Sequence, residues 1–194
     1  APKIGIILAG GGAKGSYQAG AMKAIYEYLE ENNLLSQVRM IAGTSIGSWN
    51  ALFWLAGLVK PLEAMRGKSL QQFWWEHISI NSLITPWYFV PFFGNSLVSA
   101  NPWMRQFDEI FCKHEAIKKR LLNTKIRFYF TKTNIASGRL EFTTNNPGNE
   151  RGIPDNRINA LLPYERTGNE SIIPKYRYTF CNKDDKDYLK EIKN

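Results

Sequence analysis

Ser45 stands between two glycines in Gly43-Thr44-Ser45-Ile46-Gly47, after a short apolar run and before an uncharged one. Strand, sharp turn and buried helix is the reading this order suggests. In Gly-x-Ser-x-Gly the glycines allow a tight strand-to-helix turn that pushes the serine hydroxyl into the open. Such a hydroxyl could attack an acyl carbon. The first helical N–H groups, unpaired by geometry, would then point at the oxyanion that forms. Gly and Ser also make ordinary turns before helices, so a five-residue pattern needs a second element.

That element is Gly10-Gly11-Gly12-Ala13-Lys14-Gly15, directly after the apolar run Ile4 to Ala9. Gly10-x-Gly12-x-x-Gly15 has the form of a dinucleotide fingerprint, but that fold wants an acidic residue at the end of the second strand, where Gly43 stands. A phosphate loop would need Gly-Lys-Ser or Gly-Lys-Thr, whereas this loop reads Lys14-Gly15-Ser16. Glycines also permit plain strand–helix packing. None of these explains why a second glycine-flanked turn should face the first. Backbone N–H groups of Gly11 and Gly12 beside Ser45, forming an oxyanion hole, explain both.

The elements that must bring the two turns together are visible. Ile4 to Ala9 reads as a buried parallel strand, and Val38 to Ala42 as its neighbour. Between them a helix to about Glu31 is expected, with Tyr17, Ala21, Ile25, Tyr28 and Leu29 at helical spacing. This β-α-β unit puts both glycine turns at the same end of parallel strands. Ile46 to Val59 has no charged residue; it is too short for the about 20 residues of a bilayer span, and reads as a core helix stopped by Lys60-Pro61. Trp103, Phe107, Ile110, Phe111, Ile117 and Leu121 fall on one face of a predicted helix, with His114 a core or boundary residue. Lys118-Lys119-Arg120 near its end complement the helix dipole. Lys125 to Thr131 and Leu140 to Thr143 read as strands around a turn at Asn134 to Arg139. Tyr176 to Cys181 reads as a further strand and Lys183 to Asn194 as a charged terminal helix.

With 194 residues, 44% hydrophobic and 22% charged, the chain suits a single domain over 1–194 with a sizeable core. The net charge of +8 favours anionic surfaces such as phospholipid headgroups or nucleic acid. Two cysteines, Cys112 and Cys181, give neither a disulfide framework nor a metal-ligand cluster. A reduced, cytoplasmic setting with peripheral membrane contact is expected; Ala1 is not a natural start, so secretion after loss of a leader stays open. The region 73–104 is crowded with aromatics, and His77 to Met104 carries no Lys, Arg, Asp or Glu. Pro86, Pro91 and Pro102 forbid one long helix there. It is either a loop-rich part of the core or a lid that also meets a membrane interface.

The double motif, Gly-Gly-Gly-Ala-Lys-Gly after the first strand and Gly-Thr-Ser-Ile-Gly after the second, resembles the patatin-like phospholipases. The resemblance is close over residues 4 to 60 and looser to about 144. It implies a three-layer α/β/α sandwich around a mainly parallel sheet, and a Ser–Asp dyad that cleaves acyl esters of phospholipids and related lipids. It implies no metal and no other cofactor, an acyl-lipid partner, and no nucleic acid. Carried over by position, Ser45 is the nucleophile, with Gly43 and Gly47 flanking its elbow. Gly10, Gly11, Gly12, Lys14 and Gly15 supply the oxyanion loop, and the N–H of Ile46 is a further donor. A histidine base is poorly supported by spacing: after Ser45 only His77 and His114 exist, and Asp108 shares one predicted helix with His114 without meeting it. That fits a dyad.

The family's catalytic Asp lies in Asp-Gly-Gly or Asp-Gly-Ala, and this chain contains no Asp-Gly. Its late aspartates are Asp155, which precedes Asn156, and Asp184, Asp185 and Asp187 in a charged run. The base is left unassigned, and the domain is expected to be incomplete towards its C-terminus. A catalytically dead lipid- or membrane-binding module and a nucleotide-binding α/β domain are the competing readings.

Overall fold

In the computed structural model, residues 2–61, 69–77, 85–86, 98–99, 101–134, 139–146, 176–180, 189 and 192 are described. A five-stranded sheet runs in the order β1-β2-β5-β6-β7: β1 is Ile4–Leu8, β2 Val38–Thr44, β5 Arg127–Asn134, β6 Arg139–Thr144 and β7 Tyr176–Phe180. β1, β2 and β5 are mutually parallel, β5 and β6 antiparallel, and β6 and β7 parallel again. The mainly parallel α/β sheet expected from the sequence is therefore present. A two-stranded ribbon pairs β3, Thr85–Pro86, with β4, Val98–Ser99.

The helices are α1 (Gly15–Glu31), α2 (Ile46–Leu55), α3 (Leu70–His77), α4 (Asn101–Phe107) and α5 (Glu115–Leu122). α2 is apolar all round, as a fully buried helix must be, and every one of its residues except Ser48 is buried. Trp49 is its hub. Its ring meets those of Phe53, Phe73, Trp103, Phe107 and Phe111 at centroid distances of 4.0 to 6.2 Å. Phe73 and Trp74, at the start of the aromatic region, are thus core residues; most of 77–104 lies outside the described residues. No described helix is long and apolar enough to cross a membrane.

Ile6, Leu8, Ile41, Phe128 and Phe130 form the buried face of the sheet, the last two with rings stacked 4.8 Å apart. The other face carries Ile7, Ala42 and Tyr129 in one row, and Ile7 is 78% exposed. β1 is therefore an edge strand buried on one face among the described residues, not the doubly buried strand its apolar run suggested. A second helical layer, expected on that face, falls outside the described residues.

Three sequence expectations are corrected. The outward stripe of α1 is Tyr17, Ile25 and Tyr28, while Gly15, Ala19, Met22 and Leu29 are buried. Small residues face inward because α1 lies close against α2 and α3: a Cβ on Gly15 would come within 2.5 Å of Ile46 and Trp74. α2 stops before Lys60-Pro61 because Gly57 turns left-handed at φ 70. The long helix expected through His114 is two helices. α4 runs into a wider π turn at Asp108–Cys112, and His114 leaves helical geometry at φ −101, ψ 107 to cap α5. Asp108 and His114 thus do not share a helix.

Gly20 is exposed in the middle of α1, with nothing within 4 Å of a Cβ built there. Gly20→Ala is expected to stabilise the fold by about 0.5–1 kcal/mol, because alanine loses less backbone entropy in a helix. The midpoint of urea unfolding should rise with an unchanged slope.

Candidate active site

The register pairs Leu8 with Gly43, so β1 and β2 end side by side and their glycine turns are neighbours. Ser45 follows β2 with φ 54 and ψ −123, a conformation that L side chains rarely adopt. Its carbonyl accepts the N–H groups of Ser48 at 2.9 Å and Trp49 at 3.4 Å, so α2 begins immediately. The N–H groups of Ile46 and Gly47 open that helix without an intrahelical acceptor. The Ser45 side chain makes no cap hydrogen bond to its own helix, and the residue is exposed. Both flanking glycines are enforced by contact. A Cβ on Gly43 would lie 2.5 Å from the Ser48 nitrogen, and one on Gly47 would run into the Leu8 carbonyl.

Gly10 packs against this turn: a Cβ there would be 3.3 Å from the Thr44 carbonyl and 3.4 Å from the Ser45 Cβ. The chain then makes a short 3-10 turn over Gly12–Lys14, with Gly12 at φ 54. The Lys14 N–H closes it onto the Gly11 carbonyl at 3.1 Å. Gly10 through Lys14 are exposed, and Gly15 is buried as α1 begins. The structure therefore sets Gly10 against Thr44 and Ser45, with Gly43, Ile46 and Gly47 in the same turn, and Gly11 to Gly15 continue the loop from Gly10.

A buried amide clamps that loop. Asn50, fully buried in α2, donates to the Gly15 carbonyl at 3.1 Å and to the Gln18 side chain at 2.8 Å. It accepts from the Trp74 indole at 2.9 Å. Gln18 in turn donates to the Ala9 carbonyl at 3.1 Å. Ala9 and Gly15 are the two ends of the glycine loop, so one network holds both to the serine helix. Sequence reasoning missed Asn50, although a lone amide in an uncharged apolar run is a signal, because a buried amide must find partners. Asn50→Leu keeps the volume but orphans the Trp74 N–H and two acceptors. It is expected to cost about 2 kcal/mol of stability, read from the unfolding midpoint.

Beside Ser45 lies a cavity of about 150 Å³. Leu52, Trp103, Phe107, Phe130 and Ile192 form its apolar walls, and Ser48, Thr131, Lys132 and Thr143 contribute polar groups. No described carboxylate lines it. Asp155, Asp184, Asp185 and Asp187, the late aspartates of the sequence, lie outside the described residues, as does the side chain of His77. His114 is half-buried at the start of α5 and does not line the cavity.

No curated protein and no solved structure matches the chain. The family model described as patatin-like phospholipase matches residues 6–174, which include both glycine turns, the end of β1, and β2 to β6 with the cavity-lining strand β5 among them. The chain belongs to the patatin-like phospholipase family, whose members act on lipid substrates as acyl hydrolases.

Proposed function

We propose that this protein cleaves acyl ester bonds of phospholipids, with Ser45 as nucleophile and the Gly10 loop as oxyanion hole. The observation that carries the reading is the Ser45 turn: an exposed hydroxyl on a left-handed backbone, uncommitted to its own helix and packed against Gly10. The Ser45 Oγ bonds to the ester carbonyl carbon while its proton passes to a base. The carbonyl π pair moves onto oxygen, and the N–H groups of Gly11, Gly12 and Ile46 stabilise that charge. Collapse of the intermediate expels the alcohol, which takes up the proton, and leaves an acyl-serine. Water then attacks the acyl-serine to release fatty acid and restore Ser45. The base is an aspartate by family resemblance, outside the described residues. The apolar walls of the cavity suit an acyl chain.

Peripheral contact with an anionic membrane from the cytoplasmic side belongs to this reading. The net charge is +8, and α1, which follows the loop, turns Tyr17, Ile25 and Tyr28 outward. The test is labelling of the complete protein with a fluorophosphonate, which modifies only an activated serine, alongside fatty-acid release from phospholipid in excess chelator. Labelling at Ser45 and undiminished release are expected, since an oxyanion held by backbone N–H groups needs no metal. Lipid binding without labelling or release would instead identify a catalytically dead lipid-binding module.

A further inference from the structure

Three hydrogen bonds run in series from α3 to the first peptide of the glycine loop, and each link donates in the same direction. The Trp74 indole N–H donates to the Asn50 Oδ1 at 2.9 Å, the Asn50 Nδ2 to the Gln18 Oε1 at 2.8 Å, and the Gln18 Nε2 to the Ala9 carbonyl at 3.1 Å. The indole sets that direction. It can only donate, so the Asn50 oxygen must face it and the Asn50 nitrogen must face Gln18. The Gln18 oxygen is thereby committed to Asn50, which leaves its N–H groups for Ala9. Links arranged head to tail polarise one another and strengthen the series.

Ala9 is where the loop most needs a fixed direction. It lies one residue past β1, and three consecutive glycines follow it. Glycine peptide units turn freely, and no side chain of their own holds an N–H on one bearing. The peptide between Ala9 and Gly10 is trans, so its C=O and N–H point opposite ways and holding one aims the other. The Ala9 carbonyl is met from two sides: by the Gln18 amide, and by α2, where a Cβ on Gly47 would stand 2.8 Å away. Gln18 is half-buried and is not among the residues that line the Ser45 cavity. Its bearing on the reaction therefore runs through the loop.

We propose that Gln18 is a positioning residue: it locks the Ala9–Gly10 peptide, and with it the direction in which the loop presents the Gly11 and Gly12 N–H groups to the oxyanion. This rests on the hydrolase reading above, and a readout that needs no turnover separates the two. Two substitutions are compared in the complete protein. Gln18→Met keeps the length and removes both hydrogen bonds, whereas Gln18→Glu keeps the acceptor for Asn50 and removes only the donor to Ala9. Per active serine titrated with fluorophosphonate, both should lower kcat for an ester at least about tenfold and leave KM nearly unchanged, since the oxyanion exists only after attack. A thionoester of the same acyl group should lose less, because its sulfur is a weak acceptor; the ester-to-thionoester rate ratio should narrow about fivefold. Gln18→Glu should lose less stability than Gln18→Met while losing as much turnover, because the buried Asn50 amide keeps its acceptor. Without substrate, NMR relaxation should show the Gly10, Gly11 and Gly12 amides ordered in wild type and mobile in both variants, with those of α1 unchanged.

Unchanged rates and unchanged loop amides in both variants would overturn the proposal and leave the hydrolase reading intact. Mobile loop amides with an unchanged rate would also overturn it, by showing that the lock does not serve the oxyanion. A loss of turnover that follows the loss of folded protein, with the thionoester ratio unmoved, would overturn it and assign Gln18 to stability. Loop amides released in both variants of a protein that hydrolyses no ester would support the lock and remove the hydrolase reading.

Discussion

Ser45→Ala is expected to lower kcat/KM for ester hydrolysis at least about a thousandfold, with the melting temperature unchanged. Removing a covalent nucleophile commonly costs more than that, and the residual rate then comes from the oxyanion donors and binding alone. The fold should be untouched for three reasons visible at the turn. The hydroxyl makes no cap hydrogen bond to its own helix, so nothing there is lost. The residue is exposed, so no core cavity opens. Alanine carries the same Cβ as serine, so the backbone at φ 54 is neither more nor less strained. Steady-state kinetics with a thermal scan of both proteins decides it. Activity above a thousandth of wild type would mean that another group is the nucleophile.

The second large effect lies two residues along. Gly47→Ala is expected to destabilise the protein by about 3 kcal/mol or more, at or beyond the upper end for overpacking a core. The added methyl would run into the Leu8 carbonyl and come within 2.8 Å of the Ala9 carbonyl. Those atoms belong to the end of β1 and to the start of the glycine loop, and backbone held in a sheet yields far less readily than the tip of a side chain. The same displacement would push Gly10 away from Ser45, so turnover should fall further than the folded fraction alone explains. Urea unfolding and kcat measured on the folded fraction separate the two losses. Unchanged stability would show that the helix and strand can part without penalty.

Much of the site was legible because glycine and serine spacing acts locally. A tight turn and a close backbone approach leave the same trace in sequence as in structure, so Gly10, Gly43, Ser45 and Gly47 fell into place. Parallel pairing of β1 with β2 followed from the helix between them. Orientation was less legible. On α1 the large residues Tyr17, Ile25 and Tyr28 set the period, yet contact distance chose Gly15 and Ala19 for the inner face. The breaks at Gly57 and His114 were hidden because apolar periodicity runs straight across both. Asn50 depends on neighbours brought from remote parts of the chain, and no local pattern announces such partners. The base was not legible, since the family's Asp-Gly sequence is absent from these residues.

The backbone of Ser45, at φ 54 and ψ −123, also bears on how this position can evolve. A residue with a Cβ held there costs of order 1–3 kcal/mol, whereas glycine occupies such a region freely. A lineage drifting under selection for robustness alone therefore has a downhill step at position 45, and it leads to glycine. Random libraries of this protein sorted only for heat tolerance should accumulate that change, and libraries sorted on lipid hydrolysis should purge it. Opposed enrichment at one codon would separate the demands of the scaffold from those of the hydroxyl it displays.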